Sequence, residues 1–219
     1  MRDDRPPATD PRERLWLADW RRRVAELYAE VRTTAVADPV AAWTLWRAGR
    51  EALFREHLQS PIPAADRPAF RARHWPYDPA LRFRVPLEPP AGPATPGTSL
   101  ALPNSGSEVL AFRRVGTLSL PLPAGARRLS VYWMEGYAGG LFLPFRDATN
   151  GASTYGAGRY VLDTAKGADL GGDPEAGTLI VDLNFAYHPS CAFDPRWACP
   201  LAPPENRLDV AIEAGERLR

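Results

Sequence analysis

The sequence predicts an α+β protein in which an N-terminal helical hairpin packs on an antiparallel β-barrel or β-sandwich. Three observations carry this. Two helical apolar patterns come first, between Arg12 and His57. From Leu81 the apolar period changes to two. Short β-prone runs then follow one another with turn signals between them and no long helical pattern, which argues against a doubly wound sheet. The expected division is a leader and helical hairpin over residues 1–62 and a β domain over 63–219.

Residues 1–11 are polar and proline-rich and read as a frayed leader. In the first helix Trp16, Trp20, Val24, Leu27, Tyr28 and Val31 recur at spacings of three and four, and the pattern stops near Thr33-Thr34. Asp38-Pro39 starts a second helix: aspartate can accept from a free amide, and proline at the first turn loses no needed donor. Trp43, Trp46, Arg50, Leu53, Phe54 and His57 trace its inner side. Aromatic stripes at helical spacing serve cores, so Trp16, Trp20, Trp43 and Trp46 are expected to be buried.

Pro61 and Pro63 break the second helix. After Trp75-Pro-Tyr-Asp-Pro, Leu81, Phe83 and Val85 alternate with Arg82 and Arg84 as in a half-buried strand. Residues 88–97 form a proline-rich loop. Further strands are expected at 98–102, 108–114, 116–122, 128–135, 139–146, 156–163, 177–185 and 207–213. Turn signals at Asn104-Ser-Gly, Ala124-Gly, Asn150-Gly and Gly171-Gly-Asp-Pro separate most of them.

Composition bounds the function. Apolar residues make up 45% of 219 residues, enough for a substantial core. The formal net charge of +1 gives no reason to expect a nucleic-acid partner. No apolar run is long enough to span a membrane, and no apolar segment follows the charged N-terminus, so a cytoplasmic protein is expected. Arginine outnumbers lysine 26 to 1, in the manner of a GC-rich genome. The common nucleotide, metalloprotease and serine-hydrolase motifs are absent from contexts where their mechanisms would operate, and no cofactor is expected.

Polar residues concentrate between Gly139 and Glu216. Gly156 and Gly158 are expected to share one face of a strand, opening a floor for a ligand or a close strand, with Tyr155 and Arg159 on the other face. Arg146 comes from the partner strand, and the two arginines suit either an anion or nearby carboxylates. Asp182 and Asn184 are expected on one strand face, where Arg159 should reach them. That face could serve a ligand or a closed internal network. Tyr187-His-Pro-Ser-Cys191 precedes Cys199, so His188 and two thiols resemble part of a zinc or iron site. Three clustered candidates are too few for a closed site, and no bound metal is expected. Buried free thiols, a local disulfide and a thiol activated by His188 remain open. The prolines after Cys199 should hold Asn206 firmly beside the sheet.

These residues also carry a resemblance. Arg146, Asp147, Thr149, Gly151, Thr154, Tyr155, Gly156, Gly158, Arg159 and Tyr160 form one block. Asp182, Asn184, Ala186, Tyr187, Pro189, Cys191, Cys199, Pro200, Asn206 and Arg207 form a second, followed by Ala214-Gly-Glu. Together they resemble the bacterial proteins grouped as domain of unknown function 1684, from about Gln59 onward. Leu183 and His188 depart from the family pattern, which has phenylalanine and asparagine there. The resemblance implies a shared fold and polar cluster and assigns no chemistry.

The function expected is therefore a pocket for a small anionic ligand, with catalysis left open. Its residues would be Arg146, Tyr155, Arg159, Asp182, Asn184, Tyr187, His188, Cys191, Cys199 and Asn206. The competing expectation is a structural or interaction module whose polar cluster is a closed hydrogen-bond network.

Overall fold

A computed structural model describes residues 10–90, 100–102, 105, 110–137 and 139–218. Residues 1–9 of the leader, most of the loop expected at 88–97 and the turn at Asn104 lie outside the described residues. Helix α1 spans Pro11–Thr34, and its N-cap Asp10 accepts from Arg12 N. Helix α2 spans Pro39–Glu56, with Asp38 accepting from Val40 N and Ala41 N, as the Asp-Pro signal predicts. Trp46 and Trp43 are buried between helix and sheet. Trp20 is half-buried and stacks on Phe54. Trp16 is 37% exposed, contrary to expectation. It sits near the start of α1, where only its edge meets His57.

The strands are β1 (Arg73–His74), β2 (Arg82–Pro86), β3 (Leu100–Ala101), β4 (Ala111–Leu122), β5 (Gly125–Met134), β6 (Gly140–Phe145), β7 (Arg159–Asp163), β8 (Gly172–Asp173), β9 (Thr178–Asp182) and β10 (Glu216–Arg217). They form three antiparallel sheets, β1-β10, β2-β9-β8 and β3-β4-β5-β6-β7. Among the described residues no pairing joins β3 to β7, so the five-stranded sheet does not close into a barrel. The fold is two packed helices with antiparallel sheets. Its main core runs from Tyr28, Trp43 and Trp46 through Leu118, Leu129 and Val161 to Val181 and Phe185.

β2 alternates as expected, with Phe83 and Val85 buried and Arg84 exposed. The two strands expected at 108–114 and 116–122 are one strand, with a register shift between Arg114 and Gly116. A side chain at Gly116 would collide with Leu87 and stand 2.8 Å from the Glu88 carbonyl. The shift thus sits where β2's continuation presses on β4. The hairpin expected around Asn150-Gly151 is shorter than anticipated: β6 ends at Phe145 and β7 begins at Arg159. Gly156 and Gly158 therefore lie in the connection rather than on a strand face. Gly158 has φ +106°, and a Cβ there would stand 2.5 Å from the Phe145 carbonyl. The strand expected at 177–185 stops at Asp182, whose carboxylate caps a 3-10 turn over Leu183–Phe185. The segment at 207–213 forms no strand; it follows the 146–148 chain through Leu208 N to Arg146 O and Ala148 N to Val210 O.

Candidate functional site

The structure divides the expected polar residues among separate clusters. The first is built on Arg159, at the start of β7 and fully buried. Its guanidinium donates to Asp147 Oδ2 at 2.6 Å, to the Ile212 carbonyl at 2.8 Å, to the Glu216 carbonyl at 3.2 Å and to the Ala214 carbonyl. Burial lowers its pKa, and the Asp147 charge opposes that shift. Asp147 also accepts from Thr149 N at 2.6 Å and from the Thr149 hydroxyl. One arginine thus ties the turn after β6 to the C-terminal segment.

Asp182 and Asn184 form a second cluster. Because the chain turns after Asp182, they do not alternate on a strand face. Asp182 accepts from Arg82 at 3.0 Å, Tyr77 at 3.1 Å and both amides of Asn184. Desolvation raises its pKa against those hydrogen bonds. Asn184 holds Asp78 through both backbone groups at 2.8 Å, and its carbonyl accepts from Trp43 Nε1 at 3.1 Å. The expected contact of this pair with Arg159 is not among these bonds, since Arg159 takes Asp147 instead.

Asn206 solves a gap in the sheet. β5 and β6 pair only from Tyr132–Phe142 to Met134–Gly140. Beyond that point Asn206 Oδ1 accepts from Ser130 N at 2.8 Å, and Nδ2 donates to the Ser130 carbonyl at 2.8 Å and the Pro144 carbonyl at 2.7 Å. Its amide stands where a neighbouring strand's peptide would otherwise be. The backbone of Arg146 continues this seam, with its N–H donating to the Asn206 carbonyl at 2.9 Å.

His188 belongs to a buried charged group. Glu216 accepts from Arg50 Nε at 2.5 Å, Arg50 Nη2 at 3.2 Å and His188 N at 2.7 Å. Burial works to raise the Glu216 pKa, but the Arg50 charge and hydrogen bonds outweigh it and bring the carboxyl down to about 2. His188 Nε2 accepts from Tyr155 N at 3.3 Å, and burial lowers the imidazole to about 4. His74, also lowered to about 4 by burial, stands 4.0 Å from Glu216.

Both cysteines are free, buried thiols. Cys191 lies in a 3-10 turn over Ser190–Ala192. The neighbouring Cys199 thiol lowers the Cys191 pKa, while Cys191 and burial raise that of Cys199. Among the described residues no cluster of three or more His, Cys, Asp or Glu is placed to hold a metal ion.

Tyr187, His188 and Cys199 line a cavity of about 80 Å³ between the helices and the sheet. Its other walls include Tyr28, Arg50, Tyr160, Asp163 and Lys166. Arg146, Arg159, Asp182, Asn184 and Asn206 do not line it. Arg50 lies over the rings of Phe54 at 4.3 Å and Tyr187 at 4.6 Å. Lys166, the only lysine of the chain, pairs with Asp163 at 3.4 Å, and the Asp163 charge raises its pKa. The Tyr28 oxygen accepts from Trp46 Nε1 at 3.0 Å, and burial raises its pKa, so the phenol keeps its proton. Sequence reading did not assign these residues to a site. The signals were an arginine on the inner side of α2 and the lone lysine. A larger groove of about 520 Å³, walled by Leu87, Trp133, Leu141 and Leu179, contains none of the predicted residues.

No helix among the described residues is long and apolar enough to cross a membrane. None of the curated proteins matches the chain. Among solved structures, it is similar to the solution NMR structure of an uncharacterised protein of Haloarcula marismortui. The two share 33% identity over 78% of this chain and 89% of the other, with a TM-score of 0.55. Residues 70–217 match the family described as protein of unknown function (DUF1684), covering both polar blocks and the final Ala214-Gly-Glu, and the chain belongs to that family.

Proposed function

We propose that the protein binds a small anion in the cavity between α1, α2 and the β7 strand, on the seam between the helical pair and the β framework. The observation that carries this is Tyr28. Its oxygen already accepts from Trp46, and among the described residues no acceptor takes its own proton. A buried hydroxyl with an unused proton on a cavity wall is a donor waiting for an acceptor. Arg50 and Lys166 line the same cavity, each beside a carboxylate, Glu216 for the arginine and Asp163 for the lysine. A volume of about 80 Å³ suits an inorganic oxyanion or a short carboxylate better than a drug-sized ligand. Tyr187, His188 and Cys199 are the sequence-predicted residues that belong to this site. A location in the cytoplasm fits this reading but does not bear on it. No reaction is assigned.

The second reading, a closed structural network, is favoured for Arg159, Asp182, Asn184 and Asn206 by their internal partners. The two readings therefore apply to different residues.

Thermal unfolding with inorganic phosphate, sulfate and short carboxylates tests the anion site. At about 100 times its dissociation constant, a bound anion stabilises by about 2.7 kcal/mol. Lys166→Ala changes a half-exposed side chain. It should weaken that anion about tenfold while sparing the fold. If no anion in the panel moves the unfolding midpoint of the wild-type protein, the reading fails.

A further inference from the structure

We propose that the groove of about 520 Å³ walled by Leu87, Trp133, Leu141 and Leu179 binds a small organic cation, a protonated amine carried on an apolar body. It shares no lining residue with the anion cavity, and this proposal does not depend on the anion reading. Trp133 of β5 and Leu141 of β6 stand directly opposite each other across the strand pair, which puts two large apolar side chains on one face. The Trp133 ring remains 37% exposed. It lies close against the backbone of Gly139, where a Cβ would stand 2.7 Å from the indole Nε1. The indole is thus backed by the chain and presented to the groove. Sites for small molecules are clefts of about 300–1,000 Å³ with apolar and aromatic walls and a few polar groups, and this groove has that size and make-up.

The charge on the wall selects the ligand. No lysine, arginine or histidine lines the groove; its charged groups are Asp169 and Asp173. Asp169 is already engaged. Its Oδ1 accepts from Gly171 N at 2.8 Å, Arg32 Nη1 stands 3.8 Å from its Oδ2, and the same nitrogen donates to its carbonyl at 2.8 Å. Asp173 is not. Its Oδ1 accepts from Glu175 N and Ala176 N, both at 3.0 Å, which closes the turn between β8 and β9. Its Oδ2 has no hydrogen-bond or ion-pair partner among the described residues. A carboxylate oxygen can only accept, and its strongest partner is a charged N–H donor. A ligand ammonium would donate to Asp173 Oδ2 while its apolar body covers Trp133, Leu141 and Leu87. An aromatic body would also stack on the exposed indole. No reaction is proposed.

The test is titration calorimetry of the full chain at neutral pH with phenethylamine and with its neutral counterpart, 2-phenylethanol. The amine should bind at least about tenfold more tightly than the alcohol. Asp173→Asn keeps an oxygen for the turn amides and removes the charge, so amine affinity should fall to that of the alcohol. Trp133→Ala should weaken both compounds. The proposal is overturned if the amine does not bind, or if the alcohol binds as tightly, which would make the occupant a neutral apolar molecule. It is also overturned if either variant binds the amine as wild type does. Sedimentation supplies a further check: a wild-type dimer that Trp133→Ala dissolves would assign the groove to a second copy of the chain and overturn the proposal. Should a variant fail to fold, the amide resonances of Gly172 and Asp173 in the wild-type protein decide. They should shift on addition of phenethylamine, and unmoved resonances overturn the proposal.

Discussion

Arg159 and Asp147 form a salt bridge at 2.6 Å in which neither side chain has any exposed surface. The pair joins the turn after β6 to the start of β7, and through the arginine's other bonds it fastens the chain at Ile212, Ala214 and Glu216. Removing one partner leaves a buried charge without compensation. Arg159→Met should therefore cost about 3–5 kcal/mol with no ligand present. Chemical denaturation measures it, and a loss below about 1 kcal/mol would show the network to be dispensable.

Two glycines in the same connection should behave oppositely. Gly158→Ala forces a Cβ onto the Phe145 carbonyl in a left-handed conformation. That change should cost about 2 kcal/mol or more. Gly156→Ala meets nothing within 4 Å. Its stability should fall within about 0.5 kcal/mol of wild type. Equal effects on the unfolding midpoint would contradict the geometry.

Asn206→Ala should strand Ser130 N and two strand carbonyls in the interior. Each group left unpaired costs roughly 1–3 kcal/mol. Hydrogen exchange gives a sharper check than global stability: the Ser130 amide should lose protection more than amides elsewhere in β5.

Stability should fall on acidification, and the sign follows from the buried histidines. His188 and His74 are held neutral down to about pH 4 in the fold. Unfolded imidazoles take up protons near about pH 6.5. The unfolded chain therefore binds more protons between those values, and stability drops as pH falls through that window. The loss is on the order of 3 kcal/mol for each histidine. Glu216, depressed to about 2 from an ordinary 4.5, adds a loss that begins near the upper of those values. His188→Asn should flatten the upper part of the profile; an unchanged slope across the imidazole window would rule out His188 as a source.

Trp46 is buried against Phe185 and anchors Tyr28. Trp46→Ala should cost about 3–5 kcal/mol. Trp16→Ala, on a partly exposed ring, should cost under about 1 kcal/mol. Comparable losses would mean the two ends of the helical hairpin pack alike.

Much of the secondary structure was legible because it is encoded locally. Asp38 and Pro39 mark where the second helix starts, and apolar spacing marks which face turns inward; Asp10 and Pro11, read as leader, in fact cap and open the first helix. The β2 alternation was equally plain. The strand continued past Asp182 was an error of the same local kind. A β-prone run hid an aspartate able to cap its own turn, and the backbone left the strand to satisfy that cap.

By itself, the sequence determined the α+β class, the two helices, most strand positions and the family, since each depends on spacing within a few residues. Tertiary structure alone decided what the polar residues do. Arg159 meets the Ala214 carbonyl 55 residues away, Asn184 meets Asp78 at a separation of 106, and Arg50 meets Glu216 at 166. Periodicity shows which way a side chain faces, but a buried charge or amide is satisfied by whatever donor or acceptor the packed fold brings to it. That is why ten residues read as one site separate into a clamp, a turn, a sheet filler, two buried thiols and a cavity wall.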